Sequence, residues 1–170
     1  MSLIALAMPA LSAQLPQKGD VLPSLRFSSP VLPEDQKYLA VTGDTFAVND
    51  VNCQLLLVEI ISVYCPACYQ QAPLFNKLFA RIENGTLRNK VKMLAVAAGG
   101  TVMEVKYLRE DGQYAYPIVQ DQVFAIHRLL GEPRTPFTML VDKKGHVLYS
   151  HLGIVEDTDA FYDSLKQLAE

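Results

Sequence analysis

Along this chain the longest apolar signal is Leu55–Val63, where branched aliphatic residues give way only to Glu59 and Ser62. A strand covered on both faces reads this way, as a near-continuous run, whereas a half-exposed strand alternates. The period then changes: Leu74, Phe75, Leu78, Phe79 and Ile82 recur at the three-to-four spacing of one helical face. Pro66 suits the first position of that helix, where no backbone N–H is needed, so Cys65 falls at the helix N-terminus. Asn84-Gly85 is a stop signal, and Val91–Ala98 predicts a second buried strand. Gly99-Gly100 opens a short helix near Thr101–Arg109, Tyr116–Val119 reads as a third strand and Gln122–Leu130 as a third helix. Phe137–Val141 and Val147–Ser150 flank Asp142-Lys143-Lys144-Gly145, a hairpin turn. Thr158–Leu168 ends the pattern as an amphipathic helix. The fold class expected is α/β, a mixed sheet flanked by helices on both faces with a C-terminal hairpin and helix.

The N-terminal part is less regular. Gln14–Val51 is rich in Pro and Gly signals and predicts an irregular entry with short edge strands, Phe46–Val48 forming one hairpin arm ahead of Asn49-Asp50. Residues 1–13 contain the apolar stretch Leu3–Ala13, which ends in small residues. It reads either as a truncated secretory signal, lacking the usual positive start, or as an apolar arm packed on the domain. Residues 14–170 are expected to form a single domain.

Composition narrows the function classes. Half of the 170 residues are apolar, enough for a core without disulfide staples. A net charge of -3 gives no basic footprint for nucleic acid. No apolar stretch approaches 20 residues, so contact with a membrane is expected only through an N-terminal signal or anchor. Three cysteines are too few for a disulfide scaffold.

The chemistry centres on Cys65 and Cys68. Free amides and the dipole at a helix N-terminus stabilise an anion, which favours the thiolate of Cys65. Cys68, one turn later, should lie deeper and feel less of that field. The pair offers an attacking sulfur and a resolving one, able to cycle between dithiol and disulfide. Two other uses of such a pair are half of a zinc site and a static structural disulfide. A closed zinc site needs two more ligands, and Cys53, His127, His146 and His151 form no tight pair at finger spacing. No metal or other cofactor is therefore expected. Cys53, just ahead of the central strand, reads as inert packing. Glu59, alone in an apolar strand, should have a raised pKa and could exchange a proton with Cys68.

Together these residues resemble the thioredoxin superfamily. The resemblance rests on the strand leading into Cys65-Pro66-Ala67-Cys68, on the helix after it, and on Thr135-Pro136 ahead of a later strand. Glu59 stands where that family has a buried acid, Pro73 where it has a helix-kinking proline, and Pro136 where it has the cis-proline facing the dithiol. The extra strand and helix before Pro136 are similar to the branch holding peroxiredoxins and the exported TlpA/ResA-like reductases. The C-P-A-C sequence is similar to that of cytochrome c maturation reductases. Two positions depart from the family: Tyr64 replaces the usual Trp before the first Cys, and Phe137 replaces the glutamate that cytochrome-maturation reductases often carry after the loop proline.

The resemblance implies a thiol–disulfide oxidoreductase working as a reductase in the periplasm or another exported setting. Its partners would be protein disulfide substrates and an upstream thiol donor. Cys65, Cys68 and Glu59 would be catalytic, while Tyr64, Pro66, Ala67, Thr135 and Pro136 would contact substrate, Thr135 through its backbone. Two alternatives stay open. One is a peroxiredoxin-like thiol peroxidase, for which Ser62 fits the pattern but Val58 stands in place of a proline. The other is a non-catalytic module of the same fold that binds a metal or a partner.

Overall fold

All seven residues of the strand Leu55–Ile61 are buried. Its odd-numbered residues Leu55, Leu57 and Ile61 enter one core, and Leu56, Val58 and Ile60 enter another. That two-sided burial is the physical reason for the continuous apolar run in the sequence. The computed structural model describes residues 14–170, so the signal or arm expected at residues 1–13 lies outside the described residues.

In chain order the elements are β1 (Phe27–Ser28), α1 (Pro33–Leu39), β2 (Thr45–Phe46), β3 (Leu55–Ile61), α2 (Pro66–Asn84), β4 (Val91–Ala98), α3 (Val102–Glu110), β5 (Ile118–Asp121), α4 (Ala125–Leu129), β6 (Phe137–Asp142), β7 (Val147–Leu152) and α5 (Thr158–Leu168). A five-stranded sheet runs β5-β4-β3-β6-β7, and β1 and β2 form a separate two-stranded ladder. β3, β4 and β5 are parallel neighbours, while β6 and β7 run antiparallel. Successive right-handed crossovers put α2 and α3 on the same face. Phe75, Leu78, Val105 and Leu108 accordingly share a core with Phe161 and Leu165 of α5. The opposite face is covered by Leu25, Phe27, Leu39, Phe46 and Ile126. The α/β class and the helix-covered mixed sheet are as expected, and β4 and α5 have the expected bounds.

This topology positions the site. The C-terminal end of β3 leads through Val63 and Tyr64 into Cys65, at the end of a parallel sheet where such folds bind ligands. Because β6 is antiparallel to β3, its first residue, Phe137, pairs with Ile60 near that end. The loop just before β6 therefore meets the mouth of α2.

Four parts of the chain differ from the sequence reading. The third strand is Ile118–Asp121, two residues later than expected; Pro117 has no N–H for a ladder, which delays the start of the strand to Ile118. The third helix shrinks to Ala125–Leu129. The Asp121 carboxylate accepts from the amides of Ile126 and His127, and Phe124 adopts a left-handed φ of 57°, so Gln122–Phe124 forms a turn. The ring of Phe124 then lies against Gly99, whose own φ is +72° and where a Cβ would strike that ring. In the entry segment Thr45–Phe46 pairs with Phe27–Ser28 across α1, so Phe46–Val48 is no arm of a tight hairpin. Val48–Asp50 is one 3₁₀ turn, closed by the Asp50 carboxylate on the Ala47 amide at 2.8 Å. Helix α1 is absent from the sequence reading, although Pro33 at its first turn with Glu34 and Asp35 behind it is a start signal. Among the described residues no helix is long and apolar enough to cross a membrane.

Candidate active site

Cys65 is the N-cap of α2, in extended conformation, with Pro66 at the first helical position. Its Sγ accepts the Cys68 amide at 3.4 Å, so an otherwise orphan donor of the first turn points at the sulfur. Both cysteines are free thiols, Cys65 half-buried and Cys68 only 1% exposed. The two thiols diverge electrostatically. Partial burial works to raise the Cys65 pKa, but hydrogen bonds from the side chains of Thr135 and Cys68 and from the Cys68 and Ala67 amides outweigh it. The net shift is below the ordinary thiol value. Cys68 is pushed up to about 12, first by burial and then by its hydrogen bond to Cys65. One sulfur is poised to ionise and the other is held as a thiol.

Opposite them, the Thr135–Pro136 peptide is cis. The S–H of Cys65 donates to the Thr135 carbonyl at 3.3 Å. The sequence alone suggests a Thr135 backbone free for a substrate strand. In the dithiol form its carbonyl is instead engaged by Cys65, a weak bond that a partner's backbone N–H would have to displace. Pro136 is buried, Pro66 is exposed, and Ala67 and Thr135 are half-buried.

Glu59 lies beneath, 1% exposed on the α2 side of β3. Burial pushes its pKa up to about 7, against the pull of hydrogen bonds from Tyr116 and Gln71. Tyr116 Oη donates to Oε2 at 2.5 Å and Gln71 Nε2 to Oε1 at 2.6 Å. Gln71 is fixed in turn by accepting the Val155 amide at 2.7 Å. Neither thiol is a hydrogen-bond partner of Glu59, so any proton it exchanges with Cys68 travels further than one bond. Thr138 pairs with Glu59 across β6 and shares its face, and its buried hydroxyl has no partner among the described residues.

Tyr64 is 79% exposed. Its hydroxyl donates to Glu104, which also closes a capping box on α3 by accepting the Thr101 amide at 2.8 Å and hydroxyl at 2.7 Å. These donors, Tyr64 first, hold the Glu104 carboxyl down at about 2. A groove of about 450 Å³ runs beside the dithiol between Ser62, Tyr64, Phe124, His127 and Thr135. His127 is half-buried there with Nε2 2.9 Å from the Pro133 carbonyl.

Cys53 sits at the other end of β3, buried, with its thiol raised to about 11 by that burial. The intervening strand of seven residues spans roughly 20 Å, which separates it from Cys65 and Cys68. Among the described residues no three His, Cys, Asp or Glu side chains converge as a metal cluster would.

Sequence reasoning missed Gln71, Tyr116 and Glu104. Gln71 carried a signal, being a polar residue next to Ala72 on the buried face of α2. Tyr116 reads from the sequence only as the start of a strand, and Glu104 is visible only through the Thr-x-x-Glu capping pattern.

A family model described as Redoxin matches residues 17–166. Among solved structures, the chain is similar to a Chlorobium tepidum protein assigned as thiol:disulfide interchange protein DsbE, at 20% identity and a TM-score of 0.64, covering 89% of this chain and 94% of that one. A Bacteroides thetaiotaomicron protein assigned as a protein disulfide isomerase gives a TM-score of 0.71 at 12% identity, covering 91% of each chain. The thioredoxin domain of a thiol-disulfide oxidoreductase from Bacteroides vulgatus gives 0.63 at 19% identity, covering 90% and 98%. At these identities the likeness speaks for the fold, which is thioredoxin-like. No curated protein matches the sequence.

Proposed function

The chain belongs to the Redoxin family, and on that premise we propose that it is a thiol–disulfide oxidoreductase whose Cys65–Cys68 pair exchanges electrons with protein disulfides. The single observation that supports this most is the placement of Cys65 Sγ between the Cys68 amide at 3.4 Å and the Thr135 carbonyl at 3.3 Å. A nucleophile there is charge-stabilised on one side and faces a backbone edge able to align an extended partner on the other.

In the proposed cycle the Cys65 thiolate attacks one sulfur of the partner's disulfide. A mixed disulfide forms and the partner's other sulfur leaves as a thiolate, which takes up a proton. Cys68 then loses its proton and attacks Cys65 Sγ. The Cys65–Cys68 disulfide forms, the partner's second thiol is released, and two electrons have passed to the partner. An upstream dithiol donor restores the pair. Glu59, with a pKa raised to about 7, is the buried carboxyl proposed to receive the Cys68 proton. Tyr64, Pro66, Ala67 and Thr135 form the rim that the partner touches, with the buried Pro136 holding Thr135 in place from behind.

The reducing direction is proposed on the resemblance to the exported TlpA/ResA-like reductases alone, because dithiol potentials span about -270 to -120 mV and local hydrogen bonds to one sulfur can cover much of that range. Phe137, buried at the start of β6, supplies no carboxylate where cytochrome-maturation reductases often have one, so the proposed substrate class is protein disulfides in general. We further propose that the protein works after export, on the ground of the apolar stretch Leu3–Ala13.

The test is equilibration of the couple with glutathione buffers, paired with an insulin-reduction assay of wild type and Cys65→Ser. The expected potential lies toward the thioredoxin value of about -270 mV, and Cys65→Ser is inactive. A potential near about -120 mV would reverse the direction. Activity retained by Cys65→Ser would remove the assignment. Rapid consumption of hydrogen peroxide with a sulfenic acid on Cys65 would favour the peroxidase alternative.

A further inference from the structure

The described surface leaves large apolar side chains crowded around one side of the dithiol. Tyr64, Met103 and Tyr107 are 79%, 82% and 64% exposed, and Tyr69 is exposed as well. With Val63 and Leu108 they line a pocket of about 300 Å³ between the start of α2 and α3. The pocket is continuous with the reactive sulfur along the chain, because Val63 and Tyr64 precede Cys65 and Tyr69 comes one helical turn after it. Tyr69 is fixed by donating its hydroxyl to the Val63 carbonyl at 2.5 Å, and Tyr64 is fixed by Glu104. Its walls are thus tied in place, which lowers the cost of ordering them around a guest.

Glu104 is the one charged residue in the lining. Its carboxyl is held in the ionised form by Tyr64 and Thr101, and among the described residues it forms no ion pair. An apolar pocket with a lone carboxylate calls for a guest that is apolar at its centre and cationic at its edge. An extended chain advances roughly 3.3–3.6 Å per residue, so a partner whose cysteine is at Cys65 brings the side chain two or three residues away over this pocket.

We propose that this pocket receives a bulky apolar side chain of the oxidised protein substrate, two or three residues from the attacked cysteine and next to a lysine or arginine that faces Glu104. The proposal rests on the thiol–disulfide reading above and adds to it a sequence preference. The cis-proline loop would align the partner's backbone, and this opposite wall would select its side chains.

The experiment measures kcat/KM for wild type with hydroxyethyl disulfide and with three peptides carrying 2-nitro-5-thiobenzoate on cysteine: Cys-Ala-Phe-Lys, Cys-Ala-Ala-Lys and Cys-Ala-Phe-Glu. The Phe-Lys peptide is expected to exceed the other two by about tenfold, the scale on which an apolar pocket discriminates. Met103→Glu and Tyr107→Glu should bring the Phe-Lys to Ala-Lys ratio close to one. Glu104→Gln should erase the preference for Lys over Glu, and Val21→Glu, exposed and bridged to His146 beside the β6–β7 turn, should leave both ratios unchanged. Equal rates for the three peptides, with hydroxyethyl disulfide still reduced, would overturn the pocket and leave the redox reading standing. Failure to reduce even hydroxyethyl disulfide would sink that reading and the pocket with it. A dimer in solution that Met103→Glu dissociates would overturn the proposal in favour of a second copy as the occupant.

Discussion

The backbone amide of Cys68 donates to the sulfur of Cys65 over 3.4 Å, while the side chain of Cys68 is buried and held as a thiol. The second cysteine therefore helps the first to ionise through its main chain and stays neutral in its side chain. Two residues at helical spacing acquire opposite electrostatic characters because one stands at the helix mouth and the other turns into the core.

That asymmetry fixes the order of alkylation. With its pKa at about 12, Cys68 is a thiolate in only about one molecule in 10⁴–10⁵ near pH 7.5. Iodoacetamide at that pH should label Cys65 first, leaving Cys68 and Cys53 unmodified until the protein unfolds. Peptide mapping by mass spectrometry after short exposure reads the order, and comparable labelling of Cys65 and Cys68 would contradict it.

Cys68→Ser removes the resolving sulfur and leaves the attacking one in place. The variant should accumulate a mixed disulfide between Cys65 and the substrate and turn over no further. Non-reducing gel electrophoresis should show an adduct that dithiothreitol dissolves. Full turnover by the variant would mean that an external thiol, such as the donor's, attacks Cys65 Sγ and releases the reduced partner in place of Cys68.

Glu59 ties stability to pH. Its pKa rises from the ordinary 4.5 to about 7 in the fold, so the native state binds its proton more tightly than the unfolded chain does. The associated stability is fully present below about 4.5 and is lost as pH rises toward 7, a change of ~3 kcal/mol. Glu59→Gln cannot titrate. Its stability relative to wild type should therefore gain ~3 kcal/mol between pH 4.5 and 8, as urea denaturation would read. A difference independent of pH would show that the carboxyl titrates normally. In turnover the same variant should slow the resolving step by about 10²-fold, the low end for a positioned acid–base group, while the first attack by Cys65 keeps its rate.

Tyr116→Phe removes the donor at 2.5 Å from Glu59 Oε2. That hydrogen bond lowers the carboxyl pKa, so its loss should move the Glu59 titration above about 7. Leaving a buried carboxylate oxygen unpaired should also cost about 1–3 kcal/mol at pH 8 and less at pH 5. Carboxyl carbon chemical shifts against pH check the first effect and thermal melts the second.

The sequence carried much of this fold because the decisive signals were local and unconflicted. β4 and α5 were bounded correctly where apolar runs ended at Gly99 and Leu168. Pro66 after Cys65 announced the helix start that sets the thiol chemistry. The errors arose where side chains captured backbone amides. Asp121 turned the start of an expected helix into a loop, and Asp50 folded an expected strand end into a 3₁₀ turn. The partners of Glu59 were hidden for another reason. Gln71 and Tyr116 reach it from 12 and 57 positions away along the chain, and only the closing of β3, α2 and the segment before β5 brings them together. The Tyr64–Glu104 contact, across 40 positions, was illegible on the same ground.

The most direct measurement is the thiolate absorbance near 240 nm against pH in Cys53→Ala and in Cys53→Ala with Cys68→Ser, each read as the difference from a variant lacking all three cysteines, which cancels the contribution of the eight tyrosines. A single transition belonging to Cys65, with its midpoint below that of a free cysteine, and no second transition through pH 10 is the predicted result. A Cys65 midpoint at or above the free-cysteine value, or ionisation of both sulfurs together, would contradict the division of roles between the two thiols.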